Sequence, residues 1–101
     1  MAIALRIIDE NGEVQKYVGL IEEEDLLYLT KMAEEKDLKC LPFVDYVGDT
    51  IFNAKQLEQV EKEIEILRQS GDIAEKILSP IERGVEEVGK NDLLFLRFEG
   101  E

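Results

Sequence analysis

The sequence predicts an α+β fold: a small antiparallel sheet, made of an N-terminal hairpin and a C-terminal strand, with about three helices packed on one face. Three observations predict it. Apolar strand-like runs lie at both ends of the chain, an Asn-Gly pair follows the first run, and the middle of the chain has helical apolar spacing. A chain of 101 residues fits a single domain spanning 1–101.

The first element is a hairpin. Residues 3–8 alternate between two faces in the manner of a strand, and alternation resumes at Val14. Between them, residues 9–13 contain an Asn-Gly pair, which tolerates the positive φ of a tight turn. This segment is also similar to a calcium loop, but its glycine comes too early and Leu20 stands where such a loop has its last glutamate. We therefore interpret it as a hairpin turn.

Two amphipathic helices are predicted in the middle of the chain. The first opens on acidic residues 22–25, which favour the positive end of the helix dipole, and ends near residue 37 or 38. The second spans about 54–69, because its apolar residues recur every three or four positions. Asn53 lies three residues before Gln56, a spacing similar to that of a capping box.

The remaining segments complete the order β-β-α-(β)-α-α-β. Residues 40–44 read as an extended piece or edge strand, since Pro42 lacks a backbone donor. A third helix follows the break at 70–72, with Asp72 as its cap, and Pro80 within it predicts a kink or two short helices. The last strand covers 93–98, and we expect it to pair with the first strand at the centre of the sheet.

The charge balance and the missing side chains exclude several functions. With 24 acidic and 12 basic residues the net charge is −12, which argues against nucleic acid or an anionic membrane as partner. The chain has no histidine, and Cys40 is its single cysteine. We therefore expect no enzyme activity, no cofactor and no metal. A lone thiol and the lack of a long apolar run predict a cytoplasmic protein.

The densest polar and aromatic segment is 43–53. On a structural interpretation it is a turn into a capped helix, with Phe43, Val44, Ile51 and Phe52 in the core. On a functional interpretation it is a recognition loop whose tyrosine and fixed charges stand beside a rigid helix start. The two are compatible, and the partner-binding residues that we predict are Asp45, Tyr46, Asp49, Asn53, Glu58 and Glu61.

Two segments carry a resemblance to a known group. The sequence DYVGDTIFN at 45–53 and the ending LLFLRFEGE at 93–101 resemble a group of small acidic bacterial proteins. Most members are uncharacterised, and they are similar to immunity proteins of polymorphic and contact-dependent toxin systems in size, acidity and lack of catalytic residues. The chain departs from the group's pattern at Val47, between the tyrosine and the glycine. The resemblance implies no catalytic residue.

The resemblance and the charge together lead to a first hypothesis. We expect an immunity protein that binds and neutralises a cognate bacterial toxin through an acidic surface, a basic nuclease being one such toxin. The alternative is a non-catalytic cytosolic adaptor or a homo-oligomeric structural protein, in which acidity serves only solubility. A small enzyme or cation binder that uses carboxylates alone is a third hypothesis. The sequence leaves the oligomeric state open.

Overall fold

The structure, a computed structural model, describes residues 2–100 and has the predicted α+β architecture. Met1 and Glu101, the last residue of the C-terminal motif, lie outside the described residues. The elements are β1 (Ala2–Asp9), β2 (Val14–Glu22), α1 (Glu23–Glu35), a 3-10 turn (Leu41–Phe43), β3 (Thr50–Asn53), α2 (Ala54–Ser70), α3 (Glu75–Val88) and β4 (Leu94–Glu99).

The sheet is antiparallel throughout and has the strand order β2-β1-β4-β3. The first and last strands therefore pair at its centre, as the sequence predicts. The β1–β2 connection is the predicted turn: Asp9 Oδ1 accepts from the backbone N–H groups of Asn11 and Glu13, each at 2.9 Å. These bonds close the turn with the carboxylate of the strand's own last residue.

The helices cover one face of the sheet, and alternation along the strands decides which side chains they bury. Ile3, Leu5 and Ile7 of β1 and Leu96 and Phe98 of β4 lie on the covered face and are at most 2% exposed. Their neighbours in sequence lie on the opposite face. The core is thus a single layer of apolar side chains between the sheet and the helices.

Helix α3 packs directly on the central strands. A Cβ at Gly84 would lie only 2.7 Å from Leu96 Cδ1, so a glycine is required for the helix to approach β4 this closely. Pro80 is buried, and its ring packs against Gly19 of β2. Of the two outcomes predicted for Pro80, the structure has one helix running through it, although Pro80 cannot donate to the carbonyl four residues earlier.

Helix α2 (Ala54–Ser70) agrees with the predicted 54–69, whereas α1 ends at Glu35, before the predicted 37 or 38, and α3 begins later than predicted. The capping box at Asn53 is present: its Oδ1 accepts from the Gln56 N–H at 2.8 Å, and Gln56 Oε1 accepts from the Asn53 N–H at 2.9 Å. Helix α3 was expected to begin after Asp72, but it begins at Glu75 with Ala74 at its N-cap and no side-chain cap. Asp72 is exposed and lies three residues before the first residue of the helix.

The segment 40–53 differs most from the expectation. Residues 41–43 form a 3-10 turn rather than an extended piece, and the extra strand lies later, at Thr50–Asn53. Val44 and Phe52 are buried as predicted, each 6% exposed, but Phe43 and Ile51 are 75% and 49% exposed. The reason is that β3 pairs along β4, so that Phe52 enters the core while Ile51 takes the opposite face.

Candidate functional site

The six predicted binding residues fall into two places. Asp45, Tyr46 and Asp49 lie in the loop of residues 44–49, which we call the acidic loop; Asn53, Glu58 and Glu61 lie at and after the start of α2. The short strand β3 separates the two groups, and its length is about 10 Å at about 3.3 Å per residue. The structure therefore brings these residues together as two neighbouring clusters rather than as one patch.

The acidic loop is held by its own first carboxylate. The Asp45 N–H donates to Thr50 Oγ1 at 2.9 Å, and Asp45 Oδ1 accepts from the Val47 N–H at 2.9 Å. A Cβ at Gly100 would collide with the backbone of Gly48, so the loop rests directly on the chain after β4. Asp45 is thus partly structural.

Exposed apolar side chains stand in and beside this loop. Tyr46 is 36% exposed and Val47 is 56% exposed, and Phe43 lies just before the loop. Asp49 is exposed as well. The loop consequently presents an aromatic ring, an aliphatic side chain and a carboxylate together, a combination suited to a protein interface.

Glu63 of α2 lies beneath residues 39–41, just before the acidic loop. It was not among the residues predicted from the sequence. Its carboxylate is fully buried and accepts from the backbone N–H groups of Lys39, Cys40 and Leu41 at 2.9–3.2 Å. Gln59 Nε2 donates to it at 2.9 Å. A signal was available: Glu63 lies three residues after Val60 and four before Leu67, on the apolar stripe of the helix.

Glu63 also affects the single cysteine. Burial, and secondly the negative charge of Glu63, raise the pKa of the Cys40 thiol above its usual value. A raised pKa keeps the sulfur protonated and weakly nucleophilic at neutral pH.

Asn53, the fourth predicted binding residue, is engaged in the α2 capping box. Its side-chain oxygen satisfies a backbone donor of the helix, so its role in the fold is structural. Glu58 and Glu61, by contrast, both point towards a groove between α2 and α3.

We call this depression the α2–α3 groove. It has a volume of about 400 Å³, its floor includes Leu57 and Val85, and its remaining lining residues are Ala54, Glu58, Glu61, Lys62, Glu86, Gly89 and Lys90. Three carboxylates and two lysines thus surround an apolar floor. It adjoins a shallower depression of about 270 Å³, lined also by Lys55 and Asp92. Glu86 is a lining residue that was not among those predicted.

An exposed ion-pair network joins α2 to α3 near the groove. The Arg68 guanidinium donates to Glu75 at 2.5–3.2 Å, to both oxygens of Glu82 at 3.0 Å and to Glu65 at 3.1 Å. Hydrogen bonds from Arg68 lower the pKa of the Glu75 carboxyl, and the same bonds raise the pKa of Arg68. The network ties together the two helices that form the groove.

The two clusters consist of carboxylates, lysines and exposed apolar side chains. Within residues 2–100 no group of three or more His, Cys, Asp or Glu side chains is arranged to hold a metal ion. None of the helices in that range has the length and apolar character needed to cross a membrane. Comparisons with protein-family models, with curated proteins and with solved structures find no match.

Proposed function

We propose that this protein is a cytoplasmic immunity protein, which binds a basic bacterial toxin and neutralises it by occupying the toxin's active surface. The observation that carries the proposal is the α2–α3 groove, in which the carboxylates of Glu58, Glu61 and Glu86 outnumber the lysines Lys62 and Lys90 around an apolar floor. An arginine or lysine side chain of a partner fits such a groove, because its aliphatic stem packs on apolar atoms while its charged end meets carboxylates.

The overall charge supports a basic partner. A net charge of −12 attracts a cationic protein over distances of about the Debye length, roughly 8 Å at physiological ionic strength. A nuclease cleft is cationic because it binds nucleic acid, so an acidic protein seated there would exclude the substrate. The charge would mainly raise the association rate.

Slow dissociation requires buried apolar contacts, and the acidic loop supplies them. Tyr46 and Val47 are exposed beside Asp45 and Asp49. Interfaces commonly combine such an aromatic anchor with charges at the rim. On this proposal the loop contributes burial and the groove contributes charge pairing, and the partner spans the short strand between them.

The test requires a toxin-like protein encoded beside the gene for this protein, and the product of such a neighbouring gene is purified together with it. The two purified proteins should form a 1:1 complex, the association rate should fall as NaCl is raised, and the toxin's activity should be lost in the complex. The absence of a complex at low salt would refute the proposal.

A pair of charge-matched variants locates the site. Glu58→Lys/Glu61→Lys changes the groove, whereas Glu34→Lys/Glu35→Lys changes two exposed glutamates of α1 outside it. Both variants alter the net charge equally, so both should slow association. Only the groove variant should also raise the dissociation rate, by about tenfold or more. Equal dissociation rates would place the interface elsewhere.

The acidic loop needs a milder substitution, since Asp45 also holds the turn. Asp45→Asn retains an oxygen that can accept from the Val47 N–H while removing the charge. Combined with Asp49→Asn, it should slow association with the toxin without changing the unfolding midpoint. An unchanged association rate would exclude the loop's charges from the encounter.

A further inference from the structure

Within residues 2–100, the helices pack on one face of the sheet and none packs on the second face. Strand register places Tyr17, Arg6, Arg97 and Ile51 in one row across all four strands. Tyr17 is 50% exposed and Ile51 is 49% exposed, so the row ends in uncovered apolar side chains at both edges. We call this surface the open face.

Apolar side chains flank that row on the open face. Val14 and Leu20 of β2 are 50% and 52% exposed. On the central strands Phe95 is half-buried and Ile8 is only 4% exposed, so the exposed apolar groups lie mainly along the sheet edges. Exposed apolar groups on one contiguous sheet surface are typical of a protein interface. The face is therefore unlike the helical side, which is densely charged.

The open face is also the neutral part of a strongly acidic molecule. The positive charges of Arg6 and Arg97 on this face are balanced by the negative charges of Glu99 and of Glu22, which is the last residue of β2. The whole net charge of −12 consequently lies on the rest of the protein. A second copy of this chain would be repelled by every other surface, but not by this one.

The polar groups at the centre of the face are already ordered. Glu99 accepts hydrogen bonds from both Arg6 and Arg97, and Arg6 lies over the Tyr17 ring, 5.5 Å from its centroid. Arg97 Nε is buried and has no hydrogen-bond partner within residues 2–100. An ordered array loses little conformational entropy on association, and tyrosine and arginine are enriched in interfaces.

We propose that the open face is a homodimer interface, in which two copies stack their sheets about a two-fold axis. Arg97 and Glu99 are two residues apart on β4, so an axis passing between them would set each arginine opposite the other copy's glutamate. The apolar side chains at the edges would then cover one another.

The size of the face fits a weak dimer. The four strands have 8, 9, 4 and 6 residues. At about 3.3 Å per residue and about 4.8 Å between strands, each copy offers about 430 Å². The total of about 860 Å² is below the usual size of stable interfaces and is typical of weak, transient ones. We therefore expect dissociation in the micromolar range, with the acidic helical sides of the two copies pointing away from each other.

Salt distinguishes this association from the toxin complex. Repulsion between two copies of charge −12 is screened by salt, so dimerisation should strengthen several-fold between 0.05 and 0.5 M NaCl. The toxin complex proposed above should instead weaken over the same range. The two proposals can therefore fail independently. A dimer that strengthens with salt, in a protein that binds no toxin, would refute the proposed function and leave the dimer proposal intact.

The experiment is sedimentation equilibrium of the full chain from 1 to 500 µM in 0.5 M NaCl. The wild-type protein should reach twice its monomer mass of 11.6 kDa. Leu20→Lys, on the open face, should raise the dimer dissociation constant at least tenfold, whereas Leu27→Lys, at a leucine of α1 that is 42% exposed, should not. The two variants have identical composition and net charge, which removes any general effect of an added lysine.

Ile51→Lys provides a second variant on the opposite edge of the face, should Leu20→Lys fail to fold as judged by urea unfolding. A wild-type protein that stays monomeric at 500 µM in 0.5 M NaCl would overturn the proposal. The proposal would also be overturned if the Leu20→Lys and Ile51→Lys variants dimerised as strongly as Leu27→Lys, since the interface would then lie elsewhere.

Discussion

Two charged side chains of α2, Glu63 and Arg68, hold the two halves of the candidate binding surface in opposite ways. Glu63 is fully buried and accepts four donors, three of them backbone N–H groups of residues 39–41, just before the acidic loop. Arg68 lies near the surface and donates to three carboxylates, linking the helices that form the α2–α3 groove. The two side chains make similar numbers of charge-assisted hydrogen bonds.

The difference between them is the solvent. Water competes for the exposed partners of Arg68 and screens their charges, so such networks contribute little to stability. Water competes far less for the buried Glu63 carboxylate, and the backbone donors of residues 39–41 would lose this acceptor if the carboxylate were removed. The number of hydrogen bonds is therefore a poor measure of stability here, and burial is a better one.

The largest effect should follow Glu63→Ala. It removes every acceptor for the N–H groups of residues 39–41 and leaves a cavity under the segment that leads to the acidic loop. We expect the free energy of unfolding in urea to fall by about 3–5 kcal/mol. The exposed neighbour Glu65→Ala is the control and should change it by no more than about 0.5 kcal/mol. A loss below about 1 kcal/mol for Glu63→Ala would mean that burial is not decisive.

Glu63→Gln should have an intermediate effect and a chemical consequence. The carboxamide has one acceptor oxygen in place of two, so we expect a loss of about 1–2 kcal/mol. Because the charge of Glu63 contributes to the raised pKa of Cys40, its removal should lower that pKa and speed alkylation of the thiol several-fold at pH 8. Glu61→Gln, at an exposed position, should leave the alkylation rate unchanged. An unaltered rate in Glu63→Gln would contradict the electrostatic contribution of Glu63.

The smallest effect should follow Arg68→Gln, and it should depend on pH. Arg68 lowers the pKa of Glu75 below its usual 4.5, so the stabilisation is fully present above pH 4.5 and is lost as the pH falls through the lowered value. The gap in urea stability between wild type and Arg68→Gln should thus be small at pH 7 and close on acidification. Lys55→Gln, which removes a charge at the other end of α2, should show a pH-independent difference. A gap that widens in acid would be inconsistent with this ion pair.

Much of the architecture was predictable because local periodicity reports which face a side chain takes. Alternation in β1 agrees with the covered face taken by Ile3, Leu5 and Ile7, although Ile8 of the opposite row is buried as well. The Asn53–Gln56 spacing correctly predicted the α2 capping box. Strand β3 was missed because four residues are too few for a period, and its pairing with β4 joins residues more than 40 positions apart. The start predicted for α3 was too early because Asp72 is a residue type that commonly caps helices but does not occupy the N-cap of α3.

The candidate site was predictable in part. Glu58 and Glu61 were identified from sequence and do line the groove, while Glu86 was not among the predicted residues. The position of Glu86 across the groove depends on how α2 packs against α3, and no local pattern carries that information. Glu63 was overlooked for the related reason that its partners, residues 39–41, are more than 20 positions away.

By itself, the sequence determined the strands and helices that alternate or repeat, the net charge of −12, and the absence of histidine. Those properties depend on residues that are close in sequence or on sums over the chain, so they can be predicted without knowing the fold. Only the tertiary structure decided that a carboxylate would be buried beneath residues 39–41 and that α2 and α3 would leave a groove between them. It also decided that, in the described range 2–100, every helix packs on the same face of the sheet. Each of these results from contacts between distant residues, which are set by packing in three dimensions.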